Sequence, residues 1–110
     1  MRQYMIDELR PTDYDRLKAY LDTHFAVADV EGLYWVELEA AHLADIQKTH
    51  ADCGPFYFAM ELLPDRLACE LLVRSKNRIR CDCIRYAPEI QRNWIIHKVD
   101  AIFNELKLIN

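Results

Sequence analysis

The chain has 110 residues, a length that predicts one globular domain spanning residues 1–110. Its composition, with 52% hydrophobic and 29% charged residues, is that of an ordinary folded protein. Only two glycines and four prolines are present, which excludes a low-complexity segment, a flexible linker and a glycine-rich phosphate loop.

Charge is divided unevenly along the chain. Residues 1–70 carry fourteen acidic and six basic side chains, a net charge of −8, whereas residues 71–110 carry four acidic and eight basic side chains, a net charge of +4. The two segments together give the overall charge of −4. An acidic face and a basic face can guide partners or meet within an oligomer.

The first ten residues do not have the pattern of an export signal. They include Asp7, Glu8 and two arginines, and they contain no apolar stretch. No apolar run in the chain approaches the length of a membrane span. We therefore expect a cytoplasmic location, no membrane partner, and four cysteines that remain free thiols in a reducing compartment.

The first half of the chain predicts two helices around one strand. Apolar residues at helical spacing indicate a helix over 13–25, with Thr12 as its cap. Alternating apolar residues predict a strand over 33–39. A second helix over 40–52 follows, with Gly54 at its C′ position.

The second half predicts a three-stranded antiparallel meander and a long helix. Residues 56–85 alternate between apolar and polar side chains in three runs, joined by loops that pair Leu62 with Leu67 and Ser75 with Ile79. A helix follows over 88–107, with an apolar stripe formed by Ile95, Val99, Ile102, Leu106 and Ile109.

These elements predict an α+β fold with the order α-β-α-β-β-β-α. The crossover through helix 40–52 favours a strand 33–39 that runs parallel to a neighbour in the sheet. The expected architecture is therefore a four-stranded mixed sheet, with the meander plus one strand, whose helices pack mainly on one face.

Three of the four cysteines fall on the predicted apolar face of the meander. Cys69, Cys81 and Cys83 are expected to pack there as small hydrophobic residues. A Cys-x-Cys on an extended strand holds its sulfur atoms about 7 Å apart, too far for easy ligation of one ion. Because the chain also lacks a Cys-x2–4-Cys pair, the sequence predicts no metal and no cofactor.

His50 and Cys53 form a second set of candidate residues, for catalysis or metal binding. A cysteine and a histidine form the minimal activated nucleophile, and the same two side chains are zinc ligands. Against catalysis, Cys53 follows a helix C-terminus, where the helix dipole disfavours a thiolate. We carry a Cys/His metal site or thiol enzyme around this pair as one alternative.

Basic residues concentrate between residues 74 and 92. In the predicted register Arg74 and Arg80 are cross-strand neighbours on the face opposite the core, where like charges need an acid or a bound anion between them. The other candidates for this interface or anion site are Tyr57, Glu61, Glu70 and Asp82. An ion-pair lattice, a protein interface and an anion or nucleic-acid site all fit this pattern.

No sequence motif defines an activity, so catalysis is not predicted. The favoured interpretation is a non-catalytic domain that acts through protein contacts or self-association. Anion or nucleic-acid binding through the Arg74/Arg80 face is the second hypothesis. Nucleic acid is disfavoured because the isoelectric point is near 5.5 and no aromatic residues interleave with the basic ones.

Overall fold

The computed structural model describes residues 2–108 and has the α+β class that the sequence predicts. Seven strands and three α-helices form in this part of the chain, rather than the four strands expected. In chain order they are β1 Gln3–Ile6, α1 Pro11–His24, β2 Ala26–Val27, β3 Leu33–Glu37, α2 Asp45–Thr49, β4 Phe56–Leu63, β5 Arg66–Glu70, β6 Leu72–Ser75, β7 Arg85–Tyr86 and α3 Glu89–Leu106.

Every strand pairing in the described residues is antiparallel, so the predicted mixed sheet is wrong. The strand order is β1-β5-β4-β3-β2, while β6 pairs with β4 and β7 pairs with β6. The predicted crossover helix is reduced to α2, which has five residues. Such a helix is only about 7.5 Å long and does not return the chain along a strand. The chain instead reverses, and β4 runs antiparallel to β3.

The segment around α2 is a series of short turns. Two 3-10 turns, Ala40–His42 and Ala51–Cys53, flank α2 and replace the continuous helix predicted over 40–52. Gly54 has φ of −68°, so it is not the left-handed C′ residue that was expected. These turns bring the end of α2 close to the start of β4.

The first hairpin has the predicted register. Leu62 lies opposite Leu67, and the next pair, Leu63 and Arg66, encloses a two-residue turn. Both Leu62 and Leu67 are buried in the core. A slip by one residue would expose them, and burial of one face therefore fixes the pairing.

The strand after this hairpin is interrupted between β5 and β6. Cys69 pairs with Met60, and Arg74 pairs with Tyr57. Between these two pairs, the four residues 70–73 lie opposite only two residues of β4, 58 and 59. At the interruption, the backbone N–H of Leu71 donates to the carbonyl of Arg2 instead. The even number of extra residues preserves the alternation, which keeps Val73 in the core.

The predicted third strand of the meander is wrong. Residues 76–84 form a loop, and only Arg85 and Tyr86 pair with β6, opposite Val73 and Leu72. Ser75 therefore does not pair with Ile79. The reason is local. The Ser75 hydroxyl accepts hydrogen bonds from the backbone N–H groups of Asn77 and Arg78, and this turns the chain out of the sheet.

Helices α1 and α3 pack on one face of the sheet, as predicted. Leu17 and Leu21 of α1, together with four apolar residues of α3, share one core with the sheet residues. Helix α1 begins at Pro11, so Thr12 lies inside its first turn and is not its cap. Helix α3 matches the prediction to within a residue at each end, and of its stripe Ile109 lies outside the described residues.

The opposite face of the sheet is not covered by a helix in the described part of the chain. It displays Trp35 and Tyr57, both half-buried, around the small side chain of Ala59. None of the helices in residues 2–108 combines the length and the apolar character needed to cross a bilayer.

Candidate metal centre

One imidazole and three thiols converge beside the sheet. They belong to His50, Cys53, Cys81 and Cys83, and their ligand atoms all lie within 4.8 Å of one another. His50 Nδ1 is 3.0 Å from Cys81 Sγ and 4.0 Å from Cys53 Sγ, and the two sulfur atoms are 3.8 Å apart. Cys53 and Cys83 are buried, whereas His50 and Cys81 are half-buried.

Two tight turns direct these side chains toward one point. The Cys53 backbone N–H donates to the His50 carbonyl at 2.9 Å, which places the two residues on the same side of a 3-10 turn. In the loop before β7, the Ile84 N–H donates to the Cys81 carbonyl at 3.0 Å. This second turn brings the side chains of Cys81 and Cys83 together.

Cys81 and Cys83 are therefore not too far apart to share one metal ion, and the prediction from the sequence is wrong on this point. On the predicted extended strand their sulfur atoms would be about 7 Å apart. They lie instead in the loop, where a turn brings the two sulfur atoms to within 4.8 Å. The predicted burial in the core is confirmed for Cys69 and Cys83, which are both fully buried, and of these two Cys69 lies outside the cluster.

The cluster has the size of a tetrahedral zinc site. With Zn–S near 2.3 Å and Zn–N near 2.05 Å, tetrahedral angles require about 3.8 Å between sulfurs and about 3.6 Å between sulfur and nitrogen. The Cys53–Cys81 separation of 3.8 Å agrees with this, and the His50 separations of 3.0 and 4.0 Å bracket the required value. Thiolate and imidazole are also the donors that zinc favours.

The three thiols differ in acidity. The backbone N–H and the thiol of Cys83, with smaller contributions from Cys53 and His50, lower the pKa of Cys81 to about 7. Burial raises the pKa of Cys83 to about 12 and also raises the pKa of Cys53. Cys81 is therefore the thiol that ionises first in the metal-free protein.

A buried polar network lies next to the cluster and is hydrogen-bonded to the Cys83 backbone. Gln47 and Gln91 are only 1% and 2% exposed, and Gln91 Nε2 donates to Gln47 Oε1 at 2.8 Å. Gln47 Nε2 donates to the Cys83 carbonyl at 3.4 Å, and Gln47 Oε1 accepts from the Ala44 N–H at 2.9 Å. Gln47 thereby links the backbone of one candidate ligand to the start of α2.

Further hydrogen bonds attach the loop to the segment that carries His50 and Cys53. The Ser75 hydroxyl donates to the Cys53 carbonyl, and Asn77 Nδ2 donates to the Gly54 carbonyl at 2.6 Å. The Lys76 N–H donates to the carbonyl of Pro55 at 3.0 Å. These contacts hold the first part of loop 76–84, and residues 79–83 continue from it to the cluster.

The predicted basic face is assembled only in part. Arg74 lies opposite Tyr57 in the β4–β6 pairing and forms an ion pair with Glu70, so these three residues are close together. Glu61 is exposed on β4, opposite Leu33 and Ala68 of the neighbouring strands.

Arg80 and Asp82 do not join this face as predicted. Both are exposed in loop 76–84, and Arg80 is not a cross-strand neighbour of Arg74. The reason is the misassigned strand: no ladder extends from β6 to residue 80. The backbone carbonyl of Asp82 instead accepts a hydrogen bond from Arg85 Nε at 2.6 Å.

The sequence carried a signal for the cluster that the strand assignment obscured. His50-x2-Cys53 and Cys81-x-Cys83 are two short ligand pairs separated by a stretch of strands, an arrangement that a metal site can close. The sequence interpretation identified His50 and Cys53 but assigned Cys81 and Cys83 to the core face. The alternation of charged residues and cysteines in Arg80-Cys81-Asp82-Cys83 fitted a strand equally well.

Comparisons with protein-family models, with curated proteins and with solved structures found no match to this chain. The function of the site is therefore inferred from its geometry.

Proposed function

We propose that this chain is a zinc-binding domain in which His50, Cys53, Cys81 and Cys83 hold one structural Zn²⁺ ion. The observation that carries the proposal is the convergence of four ligand atoms within 4.8 Å. Three thiolates and one imidazole are a common donor set of structural zinc sites. His50 would bind through Nδ1, the ring atom nearest the sulfurs, and would keep its proton on Nε2.

The donor set favours a structural ion over a catalytic one. A catalytic zinc keeps one coordination position for water or substrate, and its protein ligands therefore number three. Four protein ligands complete the tetrahedron and leave no such position. Burial of Cys53 and Cys83 further limits the approach of a substrate.

The ion would join two segments that are distant in the sequence. One is the turn that carries His50 and Cys53, and the other is the turn that carries Cys81 and Cys83. Residues 76–84 have no ladder partner, so coordination would supply the constraint that a strand pairing supplies elsewhere. A loop fixed in this way holds Ile79, which is 94% exposed, at the surface.

Cobalt substitution tests the proposal. The purified protein is refolded with Co²⁺, and we expect one equivalent to give the intense visible bands of a tetrahedral thiolate site. Zinc should displace the cobalt and abolish the bands. Cys81→Ser and Cys83→Ser should weaken binding strongly, whereas Cys69→Ala, which removes a buried thiol outside the cluster, should leave the spectrum unchanged. A weak octahedral spectrum, or equal spectra for Cys69→Ala and Cys81→Ser, would refute the proposal.

A thiol enzyme is the second candidate, with Cys81 rather than Cys53 as its nucleophile. Cys81 is half-buried, its pKa is lowered to about 7, and its sulfur lies 3.0 Å from His50 Nδ1. Nucleophilic thiols have these properties. Metal content separates the two functions, because a zinc-bound Cys81 is not available as a nucleophile in the purified protein.

A further inference from the structure

A groove lies between loop 76–84 and the face of the sheet that no described helix covers. It encloses about 470 Å³ between strands β2, β3, β4 and β6 and the loop. Its volume falls within the range of about 300–1,000 Å³ that small-molecule sites occupy. Trp35 and Tyr57 line it from the sheet, and the cations Arg74, Lys76 and Arg78 line it from β6 and the loop.

The sheet side of the groove is aromatic. The rings of Trp35 and Tyr57 are 5.8 Å apart between centroids and are tilted by 49°. Both residues are half-buried, so part of each ring is accessible to a ligand. The residue paired with Trp35 on β2 is Ala26, and the one paired with it on β4 is Ala59. Of these two, Ala26 lines the groove, and its small side chain leaves room beside the indole for another planar ring.

The rim of the groove is positively charged. Among the described residues, Lys76 has no carboxylate partner within ion-pair distance. Arg78 contacts Asp52 only at 3.9 Å, and both side chains are largely exposed. Arg74 is paired with Glu70. Two carboxylates therefore face three cations, and the rim retains an excess of positive charge.

We propose that this groove binds a small planar anion, an aromatic ring that carries a phosphate or carboxylate group. The ring would stack on Trp35, where aromatic contacts are favourable. The anionic group would lie at the rim, where Lys76 and Arg78 supply donors for charge-assisted hydrogen bonds. This site is distinct from the metal cluster, whose ligands do not line the groove.

The geometry fits a small molecule better than a nucleic-acid strand. A strand-binding surface repeats stacking platforms along a basic channel, whereas this groove holds a single aromatic pair. The chain is also acidic overall, with an isoelectric point near 5.5. The three cations that line the groove come from one short stretch of the chain, residues 74–78, which suits a single anionic group.

Two matched pairs of probes test the proposal. Adenosine 5′-monophosphate and adenosine share a ring but differ by a phosphate, and 2-naphthoate and 2-naphthamide share a ring but differ by a charge. Titrations are followed by calorimetry and by the indole N–H peaks of the ¹⁵N-labelled protein. The chain has two tryptophans, so Trp35→Phe assigns the peaks. We expect at least one anion to shift the Trp35 peak saturably and to bind at least tenfold more tightly than its neutral partner.

Variants locate the anionic group. Lys76→Gln/Arg78→Gln should weaken binding of that anion at least tenfold and should leave adenosine or 2-naphthamide unaffected. Arg92→Gln, which removes an exposed cation outside the groove, is the control and should bind as the native protein does. None of these substitutions touches a candidate zinc ligand, so metal content measured on the same samples separates this proposal from the zinc site.

Four results would overturn the groove proposal. The first is no binding by either anion in the millimolar range. The second is equal affinity for the charged and neutral partner of each pair. The third is a shift of the Trp94 peak without a shift of the Trp35 peak. The fourth is tighter binding to a single-stranded oligonucleotide that is insensitive to Lys76→Gln/Arg78→Gln.

Discussion

The imidazole Nδ1 of His50 lies 3.0 Å from the Sγ atom of Cys81, although 31 residues separate them in the sequence. The intervening chain contains β4, β5 and β6, and the contact therefore depends on the sheet that these strands build. Zinc would convert this contact into a bond between the two ends of that segment. Such an ion contributes directly to folding, because its site does not exist in the unfolded chain.

Zinc should stabilise the protein, and chelation should destabilise it. Free zinc at 1,000 times its dissociation constant adds about 4 kcal/mol to the free energy of unfolding. Urea unfolding with zinc and with a chelator measures the difference. Cys81→Ser/Cys83→Ser should remove most of the response to zinc, while Cys69→Ala should retain it. A zinc response of the same size in the double variant would place the ion elsewhere.

The thiols of the metal-free protein should react in a defined order. Cys81 should be alkylated first, since its pKa is about 7 and it is half-buried. Because the thiolate is the nucleophile, its rate should rise with pH and level off above about pH 8, one unit beyond that pKa. Cys69 should react slowly, since burial raises its pKa to about 12.

Mass spectrometry of peptides after timed alkylation gives the four rates. Zinc should protect Cys53, Cys81 and Cys83 and should leave the slow rate of Cys69 unchanged. Rapid alkylation of Cys81 in the presence of one equivalent of zinc would contradict coordination and would support the thiol-enzyme alternative.

Removal of the Gln47 amide should destabilise the fold without removing a zinc ligand. Gln47→Leu leaves the Ala44 N–H and the Cys83 carbonyl without their buried partner, at a cost of about 1–3 kcal/mol. Lys48→Ala, at the exposed neighbouring position, should change stability by less than about 0.5 kcal/mol. Urea unfolding measures both variants, and equal effects would show that the network contributes nothing.

Loop 76–84 should lose protection when the ion is removed. Its residues have no strand pairing, so coordination by Cys81 and Cys83 would add a constraint at its far end to the hydrogen bond that the Cys83 carbonyl accepts from Gln47. Hydrogen exchange should therefore accelerate in this loop on chelation and remain slow in β4 and β5, whose ladder is intact. Since the same loop carries Lys76 and Arg78, anion affinity at the groove should fall as well. Unchanged exchange in the loop would show that the ion does not order it.

The parts of the fold that local pattern determines were predicted correctly. The pairing of Leu62 with Leu67 follows from alternation and a short turn, and α3 follows from its apolar stripe and from Pro88 just before it. Strand β1 was missed because its four residues form a strand only by pairing with β5.

The metal cluster was not predictable by the same reasoning. The alternation of Ile79, Cys81 and Cys83 satisfies a strand pattern, yet hydrogen bonds from the loop to Ser75 direct the chain out of the sheet. Whether two ligand pairs meet depends on the tertiary path between them. Local periodicity contains no information about that path, and for this reason it predicted a strand where Cys81 and Cys83 lie in a loop.

Native mass spectrometry of the purified protein tests the zinc site most directly. We expect one Zn²⁺ per chain in the native protein and none in Cys81→Ser/Cys83→Ser. On acidification the ion should be lost and the three thiolates should regain their protons. A native mass equal to that of the metal-free chain after refolding with zinc would contradict it. A mass two hydrogens lower, from a disulfide between Cys53 and Cys81, would contradict it equally.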